Sequence, residues 1–111
     1  MRKLLVLGSI AALGLVAILP AAAATPIFKG TVGPGFTITM AKKPTKAGKI
    51  KLVISDKSNM HNFHLVGPGV NVTTSVSGTG TKTFVITLKK GKYTFVCDPH
   101  KSFMKGSFTI K

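Results

Sequence analysis

Acidic residues are almost missing from this chain. Its 111 residues include only Asp56 and Asp98, against sixteen lysines and arginines, for a formal net charge of +14. Arg2 is the only arginine, so every later basic residue is a lysine. Without Arg2 and Lys3 the remaining fourteen lysines and two aspartates leave a net charge of +12. A surface of one sign favours acidic partners or anionic cell surfaces. The absence of arginine beyond the leader argues against nucleic-acid recognition, because arginine is the residue most used to read guanine edges. Cysteine occurs once, as Cys97. One cysteine excludes an intramolecular disulfide and leaves four roles: a reactive thiol, an inert buried one, a cross-link to another chain, or a metal ligand. Helical periodicity is absent after the leader, as are internal repeats and any second domain.

What is present begins with a leader. Arg2 and Lys3 precede the uncharged run "LLVLGSIAALGLVAIL", followed by Pro20 and the small residues "AAAAT". This is the pattern of a signal peptide spanning 1–24, cleaved after Ala24. The competing reading is a retained membrane anchor, since the apolar run is just long enough to span. No cysteine lies near the cleavage point, which excludes lipid attachment there. Export places the protein in the periplasm or outside the cell. The remaining piece, 25–111, is the size of one small domain with a modest core.

That piece alternates apolar and polar residues, rich in β-branched and aromatic types and punctuated by glycine and proline. Strands are expected at "PIFKGTV", "GFTITM", "IKLVIS", "HNFHLV", "KTFVITL", "KYTFVC" and "KGSFTIK", with "VNVTTSV" as a weak strand or irregular crossing. Turns fall at two "GPG" triplets, 33–35 and 67–69, and at "KKG". Seven or eight short strands at this spacing predict an all-β Greek-key sandwich or barrel.

Strand parity then decides which side chains meet. In "KYTFVC" the aromatic face carries Tyr93, Phe95 and Cys97 inward. In the last strand Met104 shares parity with Phe108 and Ile110. In "HNFHLV" the better core pair is Phe63 and Leu65, so His61 points inward, while Asn62 and His64 take the outer face. His100 lies in the loop between Cys97 and Met104. Two imidazoles and a thiolate in a trigonal set with a weak axial thioether suit copper, because both oxidation states tolerate that donor set. Each residue alone has a blander reading: a lone buried cysteine is usually packing, a loop histidine usually surface. Met40 and Met60 read as packing at strand ends, Asp98 as a turn residue before Pro99, and His64 as a rim histidine with no metal role.

The chain resembles the cupredoxins, the plastocyanin/azurin-like type 1 blue copper proteins. "CDPHKSFM" is similar to their C-terminal ligand loop, and "HNF" to their upstream histidine followed by asparagine. The resemblance covers essentially all of 25–111. It implies a single type 1 copper ion held by His61, Cys97 and His100 with Met104 axial. It also implies that Asn62 bonds across to the cysteine loop and shields the sulfur. In the family the exposed edge of the loop histidine, here His100, is the electron port. Its rim is expected to be Phe103, the triplet 67–69 and Lys101. The loop departs from known members: two residues separate Cys97 from His100, as in plastocyanin, but three separate His100 from Met104, as in azurin.

The resemblance implies a carrier of single electrons, not an enzyme; the lysine excess, with Lys101 and Lys105 flanking His100 and Met104, points to an acidic redox protein as partner, and a monomer is expected. Cys97 and His100 resemble a thiol-protease pair only superficially: no third group orients them and the domain is too small for a substrate cleft. Two other functions fit less of the sequence. One is copper storage, delivery or tolerance. The other is a cationic sandwich that binds acidic surfaces and uses little copper. Zinc would accept His61, Cys97 and His100 but has little use for Met104. The sequon at Asn71 is more simply a polar strand edge.

Overall fold

The computed structural model describes residues 24–111, together with Gly14. The expected leader, 1–24, otherwise lies outside the described residues. Among the described residues eight strands form, in the order β1 (Ile27–Val32), β2 (Ile38–Met40), β3 (Gly48–Asp56), β4 (His64–Gly67), β5 (Val70–Thr73), β6 (Gly80–Leu88), β7 (Gly91–Val96) and β8 (Lys105–Ile110). A 3-10 turn, Asp98–His100, separates β7 from β8. The all-β sandwich expected from the alternation is therefore the architecture observed. One sheet has the order β2-β1-β3-β6 and the other β5-β4-β7-β8. The β1–β3 pair is parallel and the remaining pairs are antiparallel.

Alternation within each strand builds the layer between the sheets. Ile50, Leu52 and Ile54 of β3 lie beside Ile86 and Leu88 of the neighbouring β6, in one buried cluster with Tyr93 and Phe95 of β7 and Phe108 and Ile110 of β8 from the other sheet. Phe63 stacks on Phe95 at 5.3 Å between centroids, and Tyr93 on Phe108 at 5.1 Å. Such pairs add about 0.5–1.5 kcal/mol each beyond their area burial. The Tyr93 hydroxyl accepts from the Lys89 amide at 2.8 Å and lies 3.2 Å from the Pro68 carbonyl. It thus ties the two turns at one end of the sandwich.

The register defines two ends. At one, β1, β3, β4, β6, β7 and β8 terminate together: Val32 pairs with Asp56, Asp56 with Gly80, His64 with Val96, and Val96 with Lys105. At the other lie Ile27 beside Lys51, Gly48 beside Leu88, Gly67 beside Val70 and Gly91 beside Ile110.

Two expectations need correction. The strand expected over 61–66 begins only at His64. Before it the chain leaves the sheet, and Phe63 bonds instead to Thr74, through its amide to the Thr74 hydroxyl at 2.8 Å and its carbonyl to the Thr74 amide at 3.0 Å. Consequently His61, Asn62 and Phe63 are all buried, at 0%, 2% and 1% exposure. Strand alternation forbids three consecutive buried residues on one face, so parity misplaced Asn62 on the outside. Met60 is exposed rather than packed, whereas Met40 is buried as expected.

Gly106 sits opposite Phe95 in the β7–β8 ladder, and the Phe95 ring covers the position a Cβ would take. Gly106→Ala is expected to force Phe95 off its stack with Phe63 and lower stability by about 1–3 kcal/mol. Urea denaturation of the metal-free protein measures this directly.

Candidate metal centre

The centre forms where β7 ends and the chain turns toward β8. Pro99 sits in the first positions of the 3-10 turn that follows Cys97. The His100 amide donates to the Cys97 carbonyl at 3.0 Å, and the Met104 amide to the His100 carbonyl at 2.9 Å. The Cys97 amide then reaches the Met104 carbonyl at 3.0 Å, closing the loop on itself. Cys97 and Met104 are buried and His100 is half-buried.

His61 arrives from the other sheet's connection. The turn after β3 is fixed by the Ser58 amide donating to Asp56 Oδ1 at 3.1 Å and by the Met60 amide donating to the Ser58 hydroxyl at 3.1 Å. It delivers His61 into the interior, with Nδ1 toward Cys97 and His100. His61 Nε2 is buried and has no hydrogen-bond partner among the described residues. The ring's polar contacts therefore lie wholly on the Nδ1 side.

The three donor atoms form a triangle. His61 Nδ1 lies 3.2 Å from His100 Nδ1, and Cys97 Sγ lies 3.6 Å from each. The point equidistant from the three atoms is about 2 Å from each given those edges, close to typical zinc-to-imidazole distances and somewhat short of the zinc–thiolate one. Two ring nitrogens this close require a proton or a cation between them, and the donors are nitrogen, nitrogen and sulfur. The residues present fit a copper or zinc ion in a trigonal set.

Asn62 links the two segments. Its Oδ1 accepts from the Asp98 amide at 2.7 Å, while its Nδ2 donates to Thr73 Oγ1 at 3.0 Å and to Asp98 Oδ2 at 2.7 Å. Asp98 does open the turn before Pro99, as expected, but its carboxylate also holds His64, whose Nδ1 lies 3.0 Å from Oδ1. His64 Nε2 lies 2.7 Å from Asn71 Oδ1. Only the doubly protonated ring donates to both oxygens. The hydrogen bond to Asp98, aided by that to Asn71, raises the His64 pKa above its ordinary value against a smaller opposing effect of burial. The same bond to His64, with one from Asn62, holds the Asp98 carboxyl below its usual range.

The rim differs from the expected one. Phe36 and Phe103 are exposed by 58% and 59%, and the Phe36 ring lies 5.3 Å from His61 and 5.1 Å from His100. Phe103 lies 5.6 Å from His100. The glycine-proline-glycine turn beside the centre is 33–35, where a Cβ on Gly33 would meet the His61 ring at 3.4 Å. The triplet 67–69 is at the far end, against Tyr93 and Lys89. Two identical triplets are indistinguishable by local pattern, and only the aromatic after the first hinted at the choice.

An eight-stranded two-sheet sandwich with a His–Cys–His cluster at a strand end defines the cupredoxin class. The family model for copper-binding proteins of the plastocyanin/azurin family matches residues 22–111, and the chain belongs to that family. Among solved structures, reduced rusticyanin is similar at 20% identity over 81% of each chain, with a TM-score of 0.61. Reduced auracyanin from Roseiflexus castenholzii matches at 21% identity over 81% of this chain and 99% of that one, with a TM-score of 0.55. An oxidized mutant of amicyanin matches at 16% identity over 83% of this chain and 87% of that one, with a TM-score of 0.52. These likenesses show the fold. Comparison with curated proteins gave no match.

The His64–Asp98 pair sets a pH dependence. A histidine whose folded pKa is raised contributes stability that is complete below its unfolded value of 6.5 and is lost as pH rises through the folded value. A depressed aspartate contributes above its unfolded value of 3.8 and loses that contribution as pH falls. The stability lost in His64→Ala, measured by urea denaturation of the metal-free protein, should be greatest between these limits and shrink as pH rises beyond 6.5 through the raised folded value. A difference independent of pH would show that the pair carries no charge.

Proposed function

We propose that this chain is an exported mononuclear type 1 copper protein that carries single electrons between redox partners. The observation that carries the reading is the triangle of His61 Nδ1, Cys97 Sγ and His100 Nδ1, with edges of 3.2, 3.6 and 3.6 Å, in a chain of the plastocyanin/azurin family. His61, Cys97 and His100 would hold the ion, and Met104, buried on the same closed loop, is proposed as the axial donor. Copper, when bound, supplies a one-electron couple. Cys97 and His61 exclude water by their burial. The hydrogen-bonded loop fixes the spacing of Cys97 and His100, so that the donors need not rearrange when the charge changes. The half-buried His100, between the exposed Phe36 and Phe103 rings, is the contact through which the electron passes.

The absorption spectrum with copper(II) tests the metal. An intense visible thiolate-to-copper band is expected, with Cys97→Ser abolishing it and His61→Ala destroying or radically altering it. His64→Ala should leave the band largely in place. A colourless protein that takes zinc in preference to copper would sink the reading. Copper uptake with that band but without electron exchange would favour storage or delivery.

Lys101 and Lys105 adjoin His100 and Met104 in sequence, and an acidic redox protein is the proposed partner, met as a monomer. Stopped-flow electron exchange with a small acidic partner should slow as salt rises, because screening shortens to about 8 Å at physiological ionic strength. Lys101→Glu with Lys105→Glu should flatten that slope. Rates indifferent to salt with both acidic and basic partners would remove charge from recognition.

A further inference from the structure

The lysines are not spread evenly over the two ends of the sandwich. The metal end carries Lys57, Lys82, Lys101 and Lys105, and it also carries both acidic residues, Asp56 and Asp98. The opposite end carries Lys42, Lys43 and Lys46 between β2 and β3, Lys49 at the start of β3, and Lys89 and Lys90 between β6 and β7, all exposed, with no acid among them. The C-terminal Lys111, following Ile110, joins them.

The same end has an apolar component and receives the leader. A groove of about 440 Å³ is lined by Pro26, Phe28 and Ile50 together with the three lysines of the β2–β3 loop and Lys49. Pro26 is fixed there by the Lys51 amide, which donates to its carbonyl at 2.9 Å. Ile27, next in the chain, is 59% exposed. The uncharged apolar run of 4–19 therefore joins the folded part at the lysine-rich end, not at the metal end.

We propose that this end docks on a bilayer surface bearing anionic phospholipid headgroups. Each lysine held near such a surface adds to the attraction, and clusters of four to eight beside an apolar segment are the composition that recognises it. Stable surface residence takes two signals: where 1–24 is retained its apolar run beside the polybasic patch supplies both, and after cleavage the patch acts with the exposed Ile27 alone. An acidic protein would satisfy the charge alone, but it gives no role to the exposed Ile27 or to the entry of the leader at this end. Docked this way, His100 points away from the surface. That consequence, unlike the docking, rests on the electron-carrier reading.

The test uses the metal-free full chain, so its failure is separate from failure of the copper reading. Partition is measured onto vesicles of phosphatidylcholine alone and of phosphatidylcholine with phosphatidylglycerol, at low and at physiological salt. All variants share the leader, whose Arg2 and Lys3 also favour the anionic lipid, so its contribution cancels when each variant's lipid ratio is compared with that of the unsubstituted chain. A preference for the anionic vesicles that weakens with salt is expected. Lys42→Gln, Lys46→Gln and Lys49→Gln together should cut that preference by roughly five-fold per lysine. Lys57→Gln, Lys82→Gln and Lys101→Gln together remove the same charge from the metal end and should leave it within about two-fold. Equal losses in the two triple variants would reduce the effect to net charge and overturn the proposal, as would the absence of any anionic preference. Retention on soluble polyglutamate without preference for the anionic vesicles would hand this end to an acidic protein and overturn it equally.

Discussion

The centre depends on one side chain more than on any other. Asn62, the residue after the buried His61, bonds by its side chain both to β5 and to the loop carrying the cysteine and the second histidine. Its carboxamide accepts from the Asp98 amide at 2.7 Å and donates to Asp98 Oδ2 at 2.7 Å and to Thr73 at 3.0 Å. An amide side chain is required for this, because it offers an acceptor and two donors in one plane. A carboxylate would lose the donors and face Asp98 with like charge. The two bonds to Asp98, from a side chain that is 2% exposed, hold the backbone of His61 against the backbone of Cys97, and the third ties both to β5.

Such a triangle is costly in a protein that has no use for it. Buried polar groups normally find partners, and leaving one unpaired costs about 1–3 kcal/mol. Here His61 Nε2 has none among the described residues, and the two Nδ1 atoms and the sulfur face one another instead of a backbone group. In a domain of this size, whose core is two layers of short strands, that cost is a sizeable part of the net stability. The surrounding structure compensates by making everything else regular: paired strands, stacked aromatics and a loop closed by its own amides. A cation among the two Nδ1 atoms and the sulfur would satisfy all three donors together, whereas the orphaned His61 Nε2 lies on the ring edge away from them.

How much of this the residues disclosed follows from the range of each interaction. Strand parity works within a strand, so Tyr93, Phe95 and Cys97 fell on the correct face, as did Phe108 and Ile110. It failed at Asn62 because the chain there is outside the sheet, held through the neighbouring Phe63 by Thr74, far along the chain. The partnership of His64 with Asp98 spans 34 residues and depends on the β4–β7 register, which no local pattern encodes. Phe36 escaped notice for a related reason. It follows a glycine-proline-glycine turn identical to the one at 67–69, and only the topology puts the first turn beside His61 and the second at the other end. Type and spacing thus disclosed the residues that cluster, His61, Cys97 and His100, while the groups that hold and border them depend on pairings distant in the chain.

Charge illustrates the same division. A net charge of +12 in 25–111 is visible from composition, and composition alone invites a single account in which the lysines attract an acidic partner to the electron port. Topology separates that charge into two populations. Loops at one end of a sandwich are connected to one another only through strand ends, so the β2–β3 loop and the β6–β7 turn become neighbours solely because Gly48 pairs with Leu88. The same pairing rule carries Asp56 and Asp98 to the opposite end, where they offset half of the four lysines around the donors. The field of the molecule is therefore directed along its strands, strongest at the end farthest from His100. A field of that shape orients the molecule before it selects a partner. An anionic surface would turn the lysine-rich end inward and leave the aromatic rim of Phe36 and Phe103 facing outward, at the end where Lys101 and Lys105 are the local positive charges left to meet a partner.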